Sequence, residues 1–205
     1  MSSLRQLQRK KREQAILDAA ESLFSEHGYA AVNVDEIAAR ADAGVATIYK
    51  YFGNKTGLIR ELFRPEIEQL RVAGERVLAD PDDEPASGMA RLIAQYRFGE
   101  RWQHRDLYRE IASLNWGYAE VFKGLRERID QLVCSQIEIL VRHYVRRGRM
   151  SRTVRPRDVS FILYAVHTFH LQEWALRDDV SLQATRRDIR RHVLMVFRAW
   201  TLPPR

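Results

Sequence analysis

Residues 33–55 read NVDEIAARADAGVATIYKYFGNK. The run predicts a short helix, a tight turn and a second short helix that ends in exposed aromatic and basic side chains. Asn33 is a helix-capping residue type. Glu36, three positions on, completes a capping-box arrangement with Asn in the usual Ser/Thr role. Val34, Ile37, Ala38 and Ala41 share an inward face, and Ala38, Ala39 and Ala41 are small enough to let a second helix approach closely. Asp42-Ala43-Gly44 is the turn, with Asp42 and Gly44 as residues that tolerate unusual dihedrals. Val45 to Phe52 is the second helix, with Ile48 and Phe52 inward at i, i+4, and Gly53-Asn54 ends it.

This is the plan of a helix-turn-helix, whose second helix lies in the major groove of DNA while the first braces it. Val45, Ala46, Thr47, Tyr49 and Lys50 face outward. Tyr49 and Tyr51 can donate to phosphates, and Lys50 and Lys55 supply charge. Asn33, at a helix start, can present its backbone N–H to a phosphate. Arg5 and the run Arg9–Arg12 (RKKR) can reach along the backbone or into the minor groove, although such a run is more often a solvated face. Small-residue helix pairs with an aromatic end also occur in helical domains that never touch DNA.

Helical periodicity continues on both sides. Upstream, a helix over about Arg9–His27 carries the stripe Ile16, Ala19, Ala20, Leu23 and Phe24 and stops at Gly28. Downstream, a fourth helix opens at Lys55 or Thr56 with Leu58, Ile59, Leu62 and Phe63. Pro65 predicts a kink or break in it, before the pattern resumes through Ile67, Leu70, Val77 and Leu78. Asp80–Gly88 (DPDDEPASG) reads as a loop. Helices follow at Met89–Trp102, near Asp106–Leu114 and at Tyr118–Arg147. After the basic loop Arg146–Pro156 come Arg157–Arg177 and Leu182–Trp200. The expected fold is all-α with about nine helices, since no stretch alternates like a strand and no hairpin signal appears.

The 205 residues suit one domain, or a small domain joined to a larger one. A net charge of +7 favours an anionic partner and says nothing about fold. The excess is not concentrated in the motif: residues 1–60 carry 9 basic and 7 acidic side chains, and residues 61–205 carry 25 and 20. Cys134 is the single cysteine, which suits a reducing cytosol. The basic N-terminus has no apolar stretch behind it, unlike a secretory signal. The longest uncharged apolar-rich run, Val159–Gln172, has 14 residues, too few to span a bilayer. A soluble, cytoplasmic protein with no membrane partner is expected. A helical enzyme is the rival class. Cys134 and His143, nine residues apart on one helix, fall on opposite faces, and no phosphate loop, His-Glu-x-x-His or Gly-x-Ser-x-Gly is present. The expectation is no enzyme, no catalytic residue, no cofactor and no metal.

Residues 10–63 resemble the DNA-binding domain of TetR-family transcriptional regulators. The resemblance rests on Ile16-Leu17-Asp18-Ala19-Ala20-Glu21-Ser22-Leu23-Phe24-Ser25-Glu26-His27-Gly28, on Ile37-Ala38-Ala39-Arg40-Ala41, on Thr47-Ile48-Tyr49-Lys50-Tyr51-Phe52 and on Lys55-Thr56-Gly57-Leu58, in the family's order and spacing. Three positions depart from the pattern: Asn33 stands where Thr is usual, Asp42-Ala43-Gly44 where Gly-Val-Ser is common, and Thr56 where an acid usually follows the Lys. The resemblance implies a basic arm (1–8), a helix-turn-helix domain (9–63) and a C-terminal ligand-binding and dimerisation domain (64–205). It implies phosphate contacts from Thr47, Tyr49, Tyr51 and Lys55, with Val45, Ala46 and Lys50 facing bases. The implied function is a homodimeric bacterial regulator, a repressor released from a palindromic operator by a small-molecule effector. The alternative is a DNA-binding regulator with no such effector.

In such regulators the last two helices pair with their copies as a four-helix bundle. Here the penultimate helix is apolar on more than one face, through Val159, Ile162, Leu163, Val166, Phe169 and Leu171. The last offers Ile189, Val193, Leu194, Val196 and Phe197 opposite Arg186, Arg187, Arg190 and Arg191. Ile162, Val166, Phe169, Val193 and Phe197 are the dimer candidates; the other reading is a helix buried within a monomer. Tyr96, Trp102, Trp116, Tyr118, Phe122, Tyr144 and His167 are candidates for lining an effector pocket, although aromatics at helical spacing are more often core. His167, His170 and Glu173 share a helical face, which suits hydrogen bonding in a pocket or interface better than a metal. The seven arginines of Arg142–Arg157 read as a solvated run that could favour an anionic effector.

Overall fold

The structure, a computed structural model, describes residues 2–96, 109 and 120–201. Its helices are α1 (Ser2–His27), α2 (Val34–Arg40), α3 (Val45–Phe52), α4 (Lys55–Ala79), α5 (Pro85–Ile93), α6 (Glu120–Arg146), α7 (Pro156–Leu176) and α8 (Leu182–Arg198). Among the described residues the only β-type pairing is an isolated antiparallel bridge between Met150 and Thr201. The all-α expectation holds. The helix expected near Asp106–Leu114 lies outside the described residues.

The chain divides into two compact units within α4. The first runs to Glu66, and the second takes in α4 from Ile67, α5, α6 from Lys123, α7 and α8. In the first unit the α1 stripe Ile16, Ala19, Ala20, Leu23 and Phe24 is buried with Val34, Ile37, Ala38, Ile48 and Phe52. Leu58, Ile59, Leu62 and Phe63 from the start of α4 complete this core. In the second unit, Val133, Ile137, Leu140 and Tyr144 of α6, Val159 and Leu163 of α7, and Ile189, Val193 and Phe197 of α8 are buried. Full burial of each such large side chain contributes roughly 1.5–3 kcal/mol relative to exposure.

Three helix ends differ from the sequence reading by more than two residues, and one expected break is absent. Helix α1 begins at Ser2, not near Arg9, so the basic arm is helical. Its early residues Leu4–Arg12 are all exposed. They hold their helix by propensity and by i, i+4 pairs such as Arg9–Glu13 at 2.7 Å, not by packing on a core. Helix α4 runs unbroken through Pro65. Proline deletes only one N–H, and Pro65 lies on the exposed side, where water can satisfy the freed carbonyl. Helix α5 starts at Pro85, not Met89, because Pro is pre-organised for the first helical position. The Glu84 carboxylate caps it, accepting from the N–H groups of Ala86 and Ser87. The same helix ends at Ile93 rather than Trp102, and residues 97–102 lie outside the described set.

Candidate nucleic-acid interface

The capping box read from Asn33 and Glu36 is present. Asn33 Oδ1 accepts from Glu36 N at 2.9 Å, and Asn33 N donates to Glu36 Oε2 at 2.8 Å. This corrects one expectation: the Asn33 N–H is held by a carboxylate inside the protein and is not presented to a phosphate. In the turn, Asp42 takes the left-handed backbone at φ 47°, which Asp tolerates. Gly44 does not need its glycine freedom, being extended at φ −73°, ψ 137° as the residue before α3. Salt-bridged to Glu26 at 2.7 Å, Arg40 ties α2 to α1. The hydrogen bond from Arg40 holds the Glu26 carboxyl down at about 2.

Helix α3 packs through Ile48 and Phe52, which are buried. Its other face is free: Ala46, Tyr49 and Lys50 are exposed, and Val45, Thr47 and Tyr51 are half-buried. The start of α4 fixes the end of α3. Asn54 Oδ1 accepts from Gly57 N at 2.9 Å, a cap the sequence reading treated only as a helix break. A Cβ on Gly57 would lie 1.7 Å from the Phe52 carbonyl oxygen, so only glycine permits this approach.

Lys55 does something the sequence did not suggest. Its ammonium donates to the carbonyls of Tyr29 at 2.7 Å and Val32 at 2.8 Å, with Ala30 at 3.4 Å, and it sits 4.2 Å from the Tyr29 ring centroid. An ammonium has three N–H donors, and these carbonyls take up that number. Lys55 thus braces the α1–α2 loop against α4 and does not face outward as a phosphate contact. Thr56, one of the departures from the family pattern, has its hydroxyl 3.4 Å from that of Tyr29. The sequence names Arg9 in its basic run but does not show its contact with α3: the guanidinium lies 5.4 Å from the Tyr51 ring. That contact sets the basic helical extension beside the end of α3, with Arg5, Arg9 and Arg12 at i, i+4 and i+7 on one face. The one available signal was that no residue in 2–9 breaks a helix.

In the second unit the candidates separate. Helix α7 is two-faced: Val159, Leu163, His167 and Trp174 are buried, whereas Phe161, Ile162, Phe169 and Leu176 are exposed, as is Met195 on α8. Ile162, Phe169 and the half-buried Val166 thus remain at the surface. Val193 and Phe197 are each 0% exposed, which corrects their placement at a dimer interface. Their i, i+4 spacing with Ile189 puts them on the face of α8 that packs within the protomer.

Tyr96 and His167 line a pocket of about 380 Å³ formed by α5, α7 and α8, their rings edge-on at 6.0 Å. Tyr144 belongs elsewhere, to a smaller hollow of about 160 Å³ with Asp83, His143, Arg147 and Arg149, and its hydroxyl donates to the Asp82 carbonyl at 2.8 Å. Trp102, Trp116 and Tyr118 lie outside the described residues, and so does the side chain of Phe122. Arg186, Arg187 and Arg190, read as lying opposite the apolar stripe of the last helix, border the 380 Å³ pocket, Arg187 and Arg190 exposed and Arg186 half-buried. Burial pulls the His167 imidazole down to about 4, helped by the charge of His170, and pushes the Tyr96 phenol well up. The shared face of His167, His170 and Glu173 is divided. His170 Nε2 is 2.8 Å from His192 Nδ1, and Glu173 pairs with Arg177 at 3.5 Å. Among the described residues no three metal-binding side chains converge. No described helix is long and apolar enough to cross a membrane.

Two short helices joined by a tight turn, the second with one buried and one open face, have the geometry of a helix-turn-helix. A model of the bacterial regulatory proteins of the tetR family matches residues 16–62. The chain is 33% identical over 169 residues to the uncharacterized HTH-type transcriptional regulator YhgD of Bacillus subtilis, covering 80% of this chain and 84% of that one. It therefore belongs to the TetR family and is a helix-turn-helix transcriptional regulator. The HTH-type transcriptional repressor KstR of Rhodococcus jostii is 36% identical over 95 residues, a match spanning 46% of this chain and 42% of KstR. In fold the chain is similar to SmeT, the repressor of the Stenotrophomonas maltophilia multidrug efflux pump SmeDEF. That structure has a TM-score of 0.73 at 21% identity, covering 93% of this chain and 90% of SmeT. A SmeT–triclosan complex aligns with the same TM-score at 20% identity, covering 94% and 92%.

Proposed function

We propose that this regulator is a repressor that binds a near-palindromic operator as a homodimer and leaves it when a small-molecule effector occupies the C-terminal unit. The observation that carries the reading is the two-faced α3, anchored by Ile48 and Phe52 with Tyr49 and Lys50 open to solvent. Thr47, Tyr49 and Tyr51 hold phosphates, and Val45, Ala46 and Lys50 face bases. Lys55 and Asn33 position these residues without touching DNA. Two copies of α3 read half-sites about one helical turn apart, roughly 34–36 Å. The exposed apolar side chains Phe161, Ile162 and Phe169 of α7 and Met195 of α8 supply a surface for the second copy. Repression is supported by the names of KstR and SmeT, and an effector by the triclosan complex of SmeT. An effector that prefers the form unable to bind DNA must weaken operator binding, and the operator must weaken effector binding by the same factor.

The test is a pair of variants assayed on operator and on random DNA. Tyr49→Ala is expected to weaken both by the same factor. Lys50→Ala is expected to change base preference, at about 1–3 kcal/mol of discrimination for each lost base contact. Equal loss on both DNAs for Lys50→Ala would remove its base-reading role.

A further inference from the structure

The 380 Å³ pocket between α5, α7 and α8 has an asymmetric lining. Ala90, Ile93 and Ile189 give an apolar wall. Tyr96 and His167 are buried within it, and the half-buried Arg186 and the exposed Arg187 and Arg190 border one side. Among the described residues no carboxylate lines it, and neither Arg187 nor Arg190 has an ion-pair partner. The neighbouring Asp188 is taken by Arg191 at 3.4 Å. The Tyr96 hydroxyl is buried with no hydrogen-bond partner. A buried hydroxyl left unpaired is unfavourable, and a ligand acceptor would relieve it. Burial keeps the phenol protonated and the His167 ring neutral near pH 7, so the Tyr96 O–H can donate. Arginine forks match carboxylates in bidentate geometry. The volume lies in the lower part of the roughly 300–1,000 Å³ range of small-molecule sites.

We propose that this pocket binds a small amphipathic carboxylate, its apolar body against Ala90, Ile93 and Ile189 and its head group held by Arg187, Arg190 and the Tyr96 hydroxyl. The assignment rests on the effector reading above and specifies the chemistry of the ligand. A neutral molecule of the same size would leave the buried Tyr96 hydroxyl without an anionic acceptor, so the carboxylate is preferred over its neutral analogue.

The experiment is calorimetric titration of the full-length protein with benzoate, phenylacetate, hexanoate and octanoate, each against its neutral amide, and with inorganic phosphate. At least one carboxylate is expected to bind tenfold or more tightly than its amide, and more tightly than phosphate. The double variant Arg187→Gln/Arg190→Gln is expected to lose tenfold or more in that affinity with an unchanged unliganded melting midpoint. Tyr96→Phe is expected to lose severalfold with a midpoint no lower than the parent's. If no acid outbinds its amide, or phosphate matches the acids, the proposal falls and the arginines are a plain cationic patch. Operator release, measured separately, divides the two readings. Acid binding without release sinks the effector role and leaves the site standing. Release by the amides alone sinks the site and leaves the effector role standing.

Discussion

Around α3, the polar groups at helix ends are engaged inside the first unit. Asn33 and Glu36 close on each other, Asn54 caps α4, Lys55 holds loop carbonyls, and Arg40 holds Glu26. In the second unit, Tyr96 keeps a buried hydroxyl with no partner, and Arg187 and Arg190 have no counter-charge among the described residues. The difference follows from what each unit must do. Reading DNA needs one helix held in one place, and the capping and bracing bonds around α3 hold it there. On the proposed function, the second unit answers a ligand, and the Tyr96 hydroxyl is the group left for it.

Faces of the second unit that look alike in sequence should respond very differently to mutation. Phe197→Ala removes a fully buried ring and is expected to cost about 3–5 kcal/mol in chemical denaturation. Phe169→Ala, on the exposed face of the same unit, is expected to leave the stability of the protomer unchanged and to weaken self-association in sedimentation. Equal destabilisation by both would erase the distinction between the two faces.

His167 supplies the next largest effect. In the folded chain it stays neutral down to about pH 4, whereas in the unfolded chain it takes up a proton near 6.5. The unfolded state therefore binds more protons between those values. The contribution is fully present above pH 6.5 and is lost as pH falls to 4, a loss of about 3 kcal/mol. Denaturant titrations across this window should show the slope in the parent and a flatter one in His167→Gln.

Lys55→Met sharpens the contrast from the side of the first unit. Losing charge-assisted bonds to the loop carbonyls should destabilise by about 1.5–3 kcal/mol. The salt dependence of DNA affinity should keep its slope, because no phosphate contact is removed. A slope smaller by about one would make Lys55 a phosphate contact after all.

Much of the first unit was legible because its signals are local. Asn33 and Glu36 lie three residues apart, Ile48 and Phe52 lie four apart, and such spacings fix geometry without the rest of the fold. The role of Lys55 was not legible, since its partners Tyr29 and Val32 lie more than twenty positions away in sequence. A lysine at a helix start looks the same whether its charge faces DNA or a carbonyl. In the second unit the periodicity of α8 located its apolar stripe at Ile189, Val193 and Phe197 but could not say whether that stripe meets the protomer or a second copy. Nor could it show that Arg186, Arg187 and Arg190 line a pocket with Tyr96, about ninety positions earlier.

The central claim is that α3 reads DNA as one of a pair. Selection of bound duplexes from a random pool with the purified full chain, followed by sedimentation of the complex, tests it directly. The expected result is an enriched inverted repeat with half-site centres about one helical turn, roughly 34–36 Å, apart and two chains on each site. A single unrepeated half-site occupied by one chain, or no enrichment over random sequence, would contradict it.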